Sequence, residues 1–247
     1  MSDYVEQGDV YFFYRPAIDA DEVNSIDEIQ RLFLVLAPDN EDRARLLVIG
    51  QKRLPEIVEG KSKSSERGWM MNLMIAAPKR IGERLGPDTY ETKTEGTREL
   101  SAAVPVGEGR YEIFDAGDST FFAYRLAQPE DIGEAQSELG ISHEASYVIS
   151  VRNPALDVSG FPDASPDFPA HLKNKFGDKR WIRIDDSELL DYEDAQLVLV
   201  GAKDDLSDTG ADLSGKPDLF GTLELQKRDW PTKSLKNGEF TDPNNEE

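Results

Sequence analysis

The sequence predicts a strand-rich α+β protein, built from two related, mainly antiparallel β units with a few short helices. Three observations lead to this fold class. Short apolar runs bounded by glycine, proline, asparagine and aspartate recur along the 247-residue chain, as is typical of β-strands. Similar motifs occur in the same order in both halves, which indicates an internal duplication. Few segments show the apolar spacing of a helix.

The duplication is inferred from motifs that match in kind and in order. GDVYFFYR, which begins at Gly8, resembles GDSTFFAYR, which begins at Gly117. The run LLVIG resembles LVLVG, and their final glycines, Gly50 and Gly201, are 151 positions apart. The same spacing relates WMMNLMI to FGTLELQ. The alternative is one ordinary α+β domain whose strands look alike, because buried strands draw on the same few residue types.

The first unit is predicted to span residues 1–76 and to contain four strands. Its runs VYFFYR, RLFLVLA, RLLVIG and WMMNLMI are short, apolar and separated by turn residues. Between the last two runs, the segment from Pro55 to Gly68 is polar and has no apolar periodicity. We therefore expect that segment to be a surface loop.

A helix-containing connector is predicted for residues 77–109. Pro78 suits the first turn of a helix, Ile81 and Leu85 are spaced to share one helical face, and Gly86 then ends the helix. The remainder of the connector has the composition of extended chain. The two units, linked in this way, are expected either to share one core or to lie side by side.

The second unit is predicted to span residues 110–231. It opens with a hairpin and differs from the first unit by an insertion, residues 154–195, that contains a proline-rich loop and a helix. Residues 232–247 are polar and have almost no apolar content. They are therefore predicted to form a disordered acidic tail.

Composition narrows the classes of partner and compartment. The chain has 28 basic and 49 acidic residues, a net charge of −21, which repels nucleic acid and anionic membranes. Neither is predicted as a partner. The acidity instead indicates a high-salt habitat, an acidic face for a basic partner or for cations, or simply a well-solvated surface without a specific partner. Cysteine is absent and the N-terminus does not resemble a signal peptide, so we expect a cytoplasmic protein.

One acidic segment near the C-terminus has the composition of a cation site. Asp204, Asp208 and Asp212 lie in a glycine-containing stretch rich in the oxygen ligands that calcium prefers. The spacing of an EF-hand is absent, so a solvated loop is the favoured interpretation and a divalent cation the alternative. GADLSGK matches a phosphate-binding loop for seven positions, but Pro217 replaces the Ser or Thr that would hold magnesium.

The sequence contains little else that is typical of catalysis. His143 and His171 are the only histidines, and neither has a second ligand at zinc spacing. A surface or capping role is favoured for His143 over that of a catalytic base. The signatures of serine nucleophiles and of dinucleotide-binding loops are missing.

The repeated Tyr-Arg pairs are the candidate ligand-binding residues. Tyr14 and Arg15 end the first matched motif, and Tyr124 and Arg125 end the second. Neighbouring side chains in a strand point to opposite faces, so one member of each pair is expected to be buried. If the units pack about a pseudo-twofold axis, the two arginines converge on one anion. The alternative is an ordinary salt bridge with one of the many carboxylates.

These observations predict a non-enzymatic binding or assembly module that associates with a protein partner or with itself. The catalytic groupings are missing, whereas the strand-rich duplicated architecture and the acidic charge suit interaction. Two alternatives remain open. One is an enzyme that uses carboxylates or a divalent cation, and the other is a small-anion sensor built on the paired arginines. No cofactor beyond that cation is predicted.

Overall fold

The computed structural model describes residues 3–18, 20, 23–57, 66–92, 96–204, 206 and 213–241. The strands are β1 (Asp3–Pro16), β2 (Ile29–Pro38), β3 (Ala44–Ile49), β4 (Arg67–Ala76), β5 (Asp88–Thr92), β6 (Gly96–Leu100), β7 (Val104–Asp115), β8 (Thr120–Gln128), β9 (Glu144–Arg152), β10 (Trp181–Ile182) and β11 (Gln196–Lys203). The α-helices are α1 (Pro78–Leu85), α2 (Glu134–Glu138), α3 (Ala170–Phe176), α4 (Leu219–Thr222) and α5 (Lys233–Asn237).

Eight of these strands close into one antiparallel barrel. Around the barrel the order is β1, β2, β3, β4, β11, β9, β8 and β7, and β7 pairs again with β1. The short β10 pairs with the last two residues of β9, and β5 and β6 form a separate hairpin. Full closure pairs the edges of all eight strands with a neighbour.

The predicted fold class, α+β with two related units, is therefore wrong. Strands from both predicted units stand in the same barrel and enclose one interior. Two long-range pairings join them, β1 with β7 and β4 with β11. Apolar runs indicate where strands are, but they do not determine which distant strands pair, and it is this pairing that turns two sets of strands into one barrel.

The motifs that suggested a duplication lie in strands with similar surroundings. GDVYFFYR lies in β1 and GDSTFFAYR ends in β8, and both strands flank β7. Likewise, LLVIG in β3 and LVLVG in β11 both flank β4. The last match fails, because Trp69 is in β4 whereas Phe220 is in the helix α4. The similarity thus follows from the residue types that such strands share.

The barrel interior is filled by side chains. Residues at alternate positions of the strands point inward and form one apolar cluster, whose largest members include Phe12, Tyr14, Tyr111, Phe122, Tyr124 and Tyr147. The outer face of β1, β2 and β3 is apolar as well. It is covered by Ile81 and Leu85 of α1, by Leu219 of α4 and by Leu223, the residue after α4. Burial on both faces explains why these strands are continuous apolar runs.

Each end of the barrel is closed by a segment outside the strands. At the end where β1 begins, here called the Glu6 end, the predicted insertion contributes Phe168, Leu172, Phe176, Leu189 and Leu190 to the interior cluster. At the opposite end, here called the Tyr14 end, α2 and the chain around α5 close the barrel. Gln136 of α2 joins these parts, since its amide donates to the carbonyls of Val106 at 2.8 Å and of Ser234 at 3.0 Å.

The segment predicted to be a disordered tail is packed as far as Thr241. Ser234, Leu235 and Phe240 are buried, and the amide of Thr241 donates to the Tyr14 hydroxyl at 2.9 Å. The side chains of Leu235 and Phe240 are enough to hold this segment in place, because the open end of the barrel provides an apolar surface for them to cover. Residues 242–247, and residues 58–65 of the predicted surface loop, lie outside the described part of the chain.

Candidate functional site

An open cavity of about 410 Å³ lies at the Tyr14 end of the barrel. Its walls come from residues 53–57, which follow β3, from residues 132–143, which connect β8 to β9, and from the residue after β11. The side chains that characterise it are Arg53, Glu56, Ile57, Ile132, His143 and Tyr147. The cavity is thus lined by both apolar and charged groups.

The backbone of the first wall is held in place by local constraints. Gln51 and Lys52 both adopt φ near 59°, a left-handed conformation that non-glycine residues rarely take and that turns the chain after β3. Leu54 is fully buried, and its amide donates to the carbonyl of Leu139 at 2.9 Å. Gly140 lies so close that a Cβ there would be 2.7 Å from the Leu54 carbonyl oxygen. These contacts set the width of the cavity.

A buried tyrosine, Tyr147, lines the cavity, and its side chain is hydrogen-bonded to a second one, Tyr124. Tyr147 is 1% exposed and Tyr124 is fully buried. Burial raises the pKa of both phenols above the ordinary value, and for Tyr147 the neighbouring Tyr124 raises it further. The amide of Ser142 donates to the Tyr124 hydroxyl at 3.2 Å. The phenol that lines the cavity, that of Tyr147, is therefore neutral, a group that can donate or accept a hydrogen bond.

Charges of both signs surround the mouth of the cavity. Arg53 and Glu56 are 3.9 Å apart and about half exposed, and His143 and Asp204 are exposed as well. Exposed ion pairs of this kind contribute about 0–1 kcal/mol, so they can exchange partners with a ligand. Ile57 and Ile132 supply apolar contact beneath them. The arrangement suits a small molecule that has both polar and apolar groups.

A network of buried charges occupies the Glu6 end. The Arg45 guanidinium is fully buried and donates to both carboxylate oxygens of Glu6, at 2.6 and 2.8 Å, and to Asp191 at 2.8 Å. Burial alone would lower the pKa of Arg45, but the charge of Glu6 and its hydrogen bonds raise it above the ordinary value. The Tyr111 hydroxyl donates to Glu6 at 2.6 Å. These contacts join β1, β3 and β7 to the closing segment.

Arg15 is buried at the C-terminal end of α1. It is 2% exposed, and its two terminal nitrogens donate to the carbonyls of Ser101, Leu85, Arg84 and Gly86 at 2.7 to 3.3 Å. Three of these carbonyls, those of Arg84, Leu85 and Gly86, lie at the negative end of the α1 dipole. Burial, followed by the charge of Arg84, lowers the pKa of Arg15 to about 10, so it remains a cation at neutral pH.

The structure does not bring the four predicted ligand-binding residues together. Arg125 is opposite Arg110 on β7, and Arg110 is opposite Asp9 on β1. Asp9 is six residues from Arg15, about 20 Å along a strand. Arg125 instead pairs with Glu144, its partner on β9, at 2.8 Å.

The two tyrosines of the Tyr-Arg pairs point into the barrel. One member of each pair was expected to be buried, but in the first pair both Tyr14 and Arg15 are, because the end of α1 covers Arg15 on the outer face.

The Tyr14 hydroxyl contacts Ser234 at 3.0 Å, whereas the Tyr124 hydroxyl accepts a hydrogen bond from the amide of Ser142, which lines the cavity. None of the four predicted residues therefore lines the 410 Å³ cavity, and Tyr124 contacts it only through its hydrogen bonds to Ser142 and Tyr147, which do.

The predicted cation site is described only in part. Asp204 is exposed at the mouth of the cavity, and Asp208 and Asp212 lie outside the described residues. Within the described part of the chain, no group of three or more His, Asp or Glu side chains is arranged to hold a metal ion.

The sequence interpretation missed both the cavity residues and the buried network. Arg53, Glu56 and Ile132 belong to loops that carry no motif, and only the tertiary structure brings them together. Arg45 did leave a signal, because a charged residue at the start of the apolar run RLLVI occupies an inward-pointing position. His143 was expected to have a surface or capping role, and it is exposed at the cavity mouth.

Comparisons with known proteins place the chain in no family. No protein-family model, no curated protein and no solved structure matches it. Among the described helices, none is both long enough and apolar enough to cross a membrane.

Proposed function

We propose that this protein is a non-enzymatic binding module that takes a small molecule, with both polar and apolar groups, into the cavity at the Tyr14 end. The observation that carries this proposal is the cavity of about 410 Å³, whose walls are held by the buried Leu54 and by the close approach of Gly140. Binding sites for small molecules are commonly preformed clefts of about 300–1,000 Å³.

The use made of the buried polar groups supports binding rather than catalysis. Arg45 and Glu6 satisfy each other inside the barrel, and Arg15 is satisfied by four carbonyls. Their hydrogen bonds link elements of the fold. The exposed groups at the cavity mouth, by contrast, are weakly paired and accessible to a ligand.

The experiment is native mass spectrometry of the gently purified protein and of two variants at Ile132. Ile132→Trp is designed to fill the cavity, and Ile132→Val is the matched control that leaves it open. We expect an additional mass on the wild type and on Ile132→Val that is lost from Ile132→Trp. Ligand-observed NMR with a mixture of small polar fragments provides a second measurement of the same site.

Two results would overturn the proposal. One is an additional mass that Ile132→Trp retains as well as the wild type does. The other is a bare chain in the spectra together with no fragment that binds the wild type more strongly than Ile132→Trp. A homo-oligomer whose cavity is empty would instead favour an assembly module, the second possibility that the sequence predicts.

A further inference from the structure

A second, smaller cavity lies on the outer face of the barrel beside the C-terminal end of α1. Its volume is about 170 Å³. Three arginines surround it: Arg15 on β1, Arg31 on β2 and Arg84 on α1. Its apolar walls include Phe33, Leu46 and Leu73. We call this site the arginine pocket. It is separate from the Tyr14-end cavity and shares no lining residue with it.

Among the described side chains that line the arginine pocket, there are three cations and no carboxylate. Arg15 and Arg31 are directly opposite each other on neighbouring strands, an arrangement in which like charges repel. Arg84 has a distant ion pair, 3.9 Å from Asp88, in which both side chains are more than half exposed. Among the side chains that the structure describes, no carboxylate pairs with Arg31. Such an excess is notable in a chain with a net charge of −21.

The three arginines have different parts in this site. Arg15 uses the hydrogens of both terminal nitrogens on backbone carbonyls, so it supplies a fixed positive charge rather than a free donor. Its guanidinium carbon also lies 5.8 Å from the centre of the Phe33 ring, which holds that wall next to the charge. Arg31 and Arg84 are exposed, and their guanidinium groups can form bidentate hydrogen bonds with an anion.

We propose that the arginine pocket binds the carboxylate of a small organic acid whose alkyl part contacts Phe33, Leu46 and Leu73. The carboxylate would accept hydrogen bonds from Arg31 and Arg84 and neutralise the excess charge. The apolar walls favour an acid with an alkyl chain over an inorganic anion. The volume of about 170 Å³ is below that of sites for drug-sized ligands, so the chain has only a few carbons.

The first experiment compares three probes by isothermal titration calorimetry on the full chain. Hexanoate has both the carboxylate and the alkyl chain, 1-hexanol lacks the charge, and inorganic phosphate lacks the chain. We expect saturable binding of hexanoate and binding of the other two that is at least about tenfold weaker. Phosphate that binds as tightly as hexanoate, or hexanoate that does not saturate at millimolar concentration, would overturn the assignment.

The second experiment locates the hexanoate site with variants. Arg31→Gln and Arg84→Gln should each weaken hexanoate binding about tenfold, because each removes a charged hydrogen bond. Arg125→Gln is the matched control, since that arginine is exposed and far from the pocket. Ile132→Trp should bind hexanoate as the wild type does. Loss of hexanoate binding in Ile132→Trp, or unchanged hexanoate binding in Arg31→Gln, would contradict the assignment of hexanoate to the arginine pocket. Neither result would decide whether the Tyr14-end cavity binds a ligand, which the mass spectra of the Ile132 variants test separately.

Discussion

The buried arginines Arg45 and Arg15 are satisfied in two different ways. Arg45 donates hydrogen bonds to the carboxylates of Glu6 and Asp191. Arg15 donates to uncharged backbone carbonyls, most of them at the C-terminal end of α1. The guanidinium group permits both because its five donors lie in one plane and can reach several acceptors at once. The two arginines therefore differ in what their loss exposes. Removing Arg45 leaves a buried charge, and removing Arg15 leaves buried carbonyls.

We predict that Arg45→Leu lowers the free energy of unfolding by about 3–5 kcal/mol, because it leaves Glu6 as a buried, uncompensated charge and removes one of the two arginines that pair with Asp191. The matched control is Arg43→Ala. Arg43 pairs with the same Asp191 at 2.7 Å, but its side chain is 43% exposed. Its removal should cost at most about 1 kcal/mol. Urea unfolding measures both free energies. Equal losses of unfolding free energy in the two variants would show that the burial of Arg45 does not determine how much its ion pairs stabilise the protein.

Acid stability should depend on Asp39. Hydrogen bonds from Arg110, at 2.8 Å to one oxygen, lower the pKa of this carboxyl below its ordinary value. A lowered folded-state pKa gives stability that is fully present above the unfolded pKa, about 4, and is lost as pH falls through the lower folded value. Asp39→Asn should therefore lower the melting temperature at neutral pH and reduce its further decline below about pH 4.

The control for this prediction is Asp42→Asn, which changes an exposed aspartate in the same turn. It should leave both the neutral melting temperature and its decline in acid close to those of the wild type. A decline in Asp39→Asn as steep as that of the wild type below pH 4 would refute the role of the Arg110 contact.

At the scale of elements, the outer face of the barrel depends on close packing between α1 and the chain after α4. The contact point is Gly82, within the buried face of α1. A Cβ at this position would be 2.5 Å from the carbonyl oxygen of Leu223 and 2.8 Å from Leu225. The glycine is thus needed for the approach of the two segments, although its helix propensity is low.

We predict that Gly82→Ala destabilises the protein, although alanine in an exposed helix position would stabilise it by about 1 kcal/mol. The clash is with backbone, so α1 must shift away from the barrel. Thermal unfolding followed by circular dichroism is the measurement. Glu83→Ala, at the neighbouring exposed position of the same helix, should change the free energy of unfolding by less than about 0.5 kcal/mol. A stabilised Gly82→Ala would disprove the close contact.

For the whole molecule, closure of the barrel joins the two halves of the chain. The pairings β1 with β7 and β4 with β11 connect strands that are distant in sequence, and one apolar cluster extends through both halves. The segments that close the ends come from the insertion and from the C-terminal region. Unfolding of either half therefore exposes the interior of the other.

We predict a single cooperative unfolding transition. Trp69 in β4, Trp181 in β10 and Trp230 near the C-terminus report on different regions through fluorescence, and far-ultraviolet circular dichroism reports on the strands. Midpoints from the two probes should coincide in urea, as they do for one cooperative unit. Two separated transitions would show that the halves unfold independently in spite of the barrel.

The amino-acid sequence by itself determined where most of the barrel strands lie and that successive side chains in them point to opposite faces. The four strands of the first half and the helix after Pro78 follow from apolar runs and turn residues, and period-two alternation places the two members of each Tyr-Arg pair on opposite faces. These are local properties, because each depends on residues that are neighbours in the chain.

Only the tertiary structure decided the closure of the barrel and the composition of its cavities. Arg15 and Arg125 carry the same motif, yet the register of the strands between them separates the pair. Ile132 and Arg53, which no motif marks, meet at one cavity instead. The physical reason is that strand pairing and cavity walls depend on contacts between segments far apart in the chain, to which local patterns are insensitive.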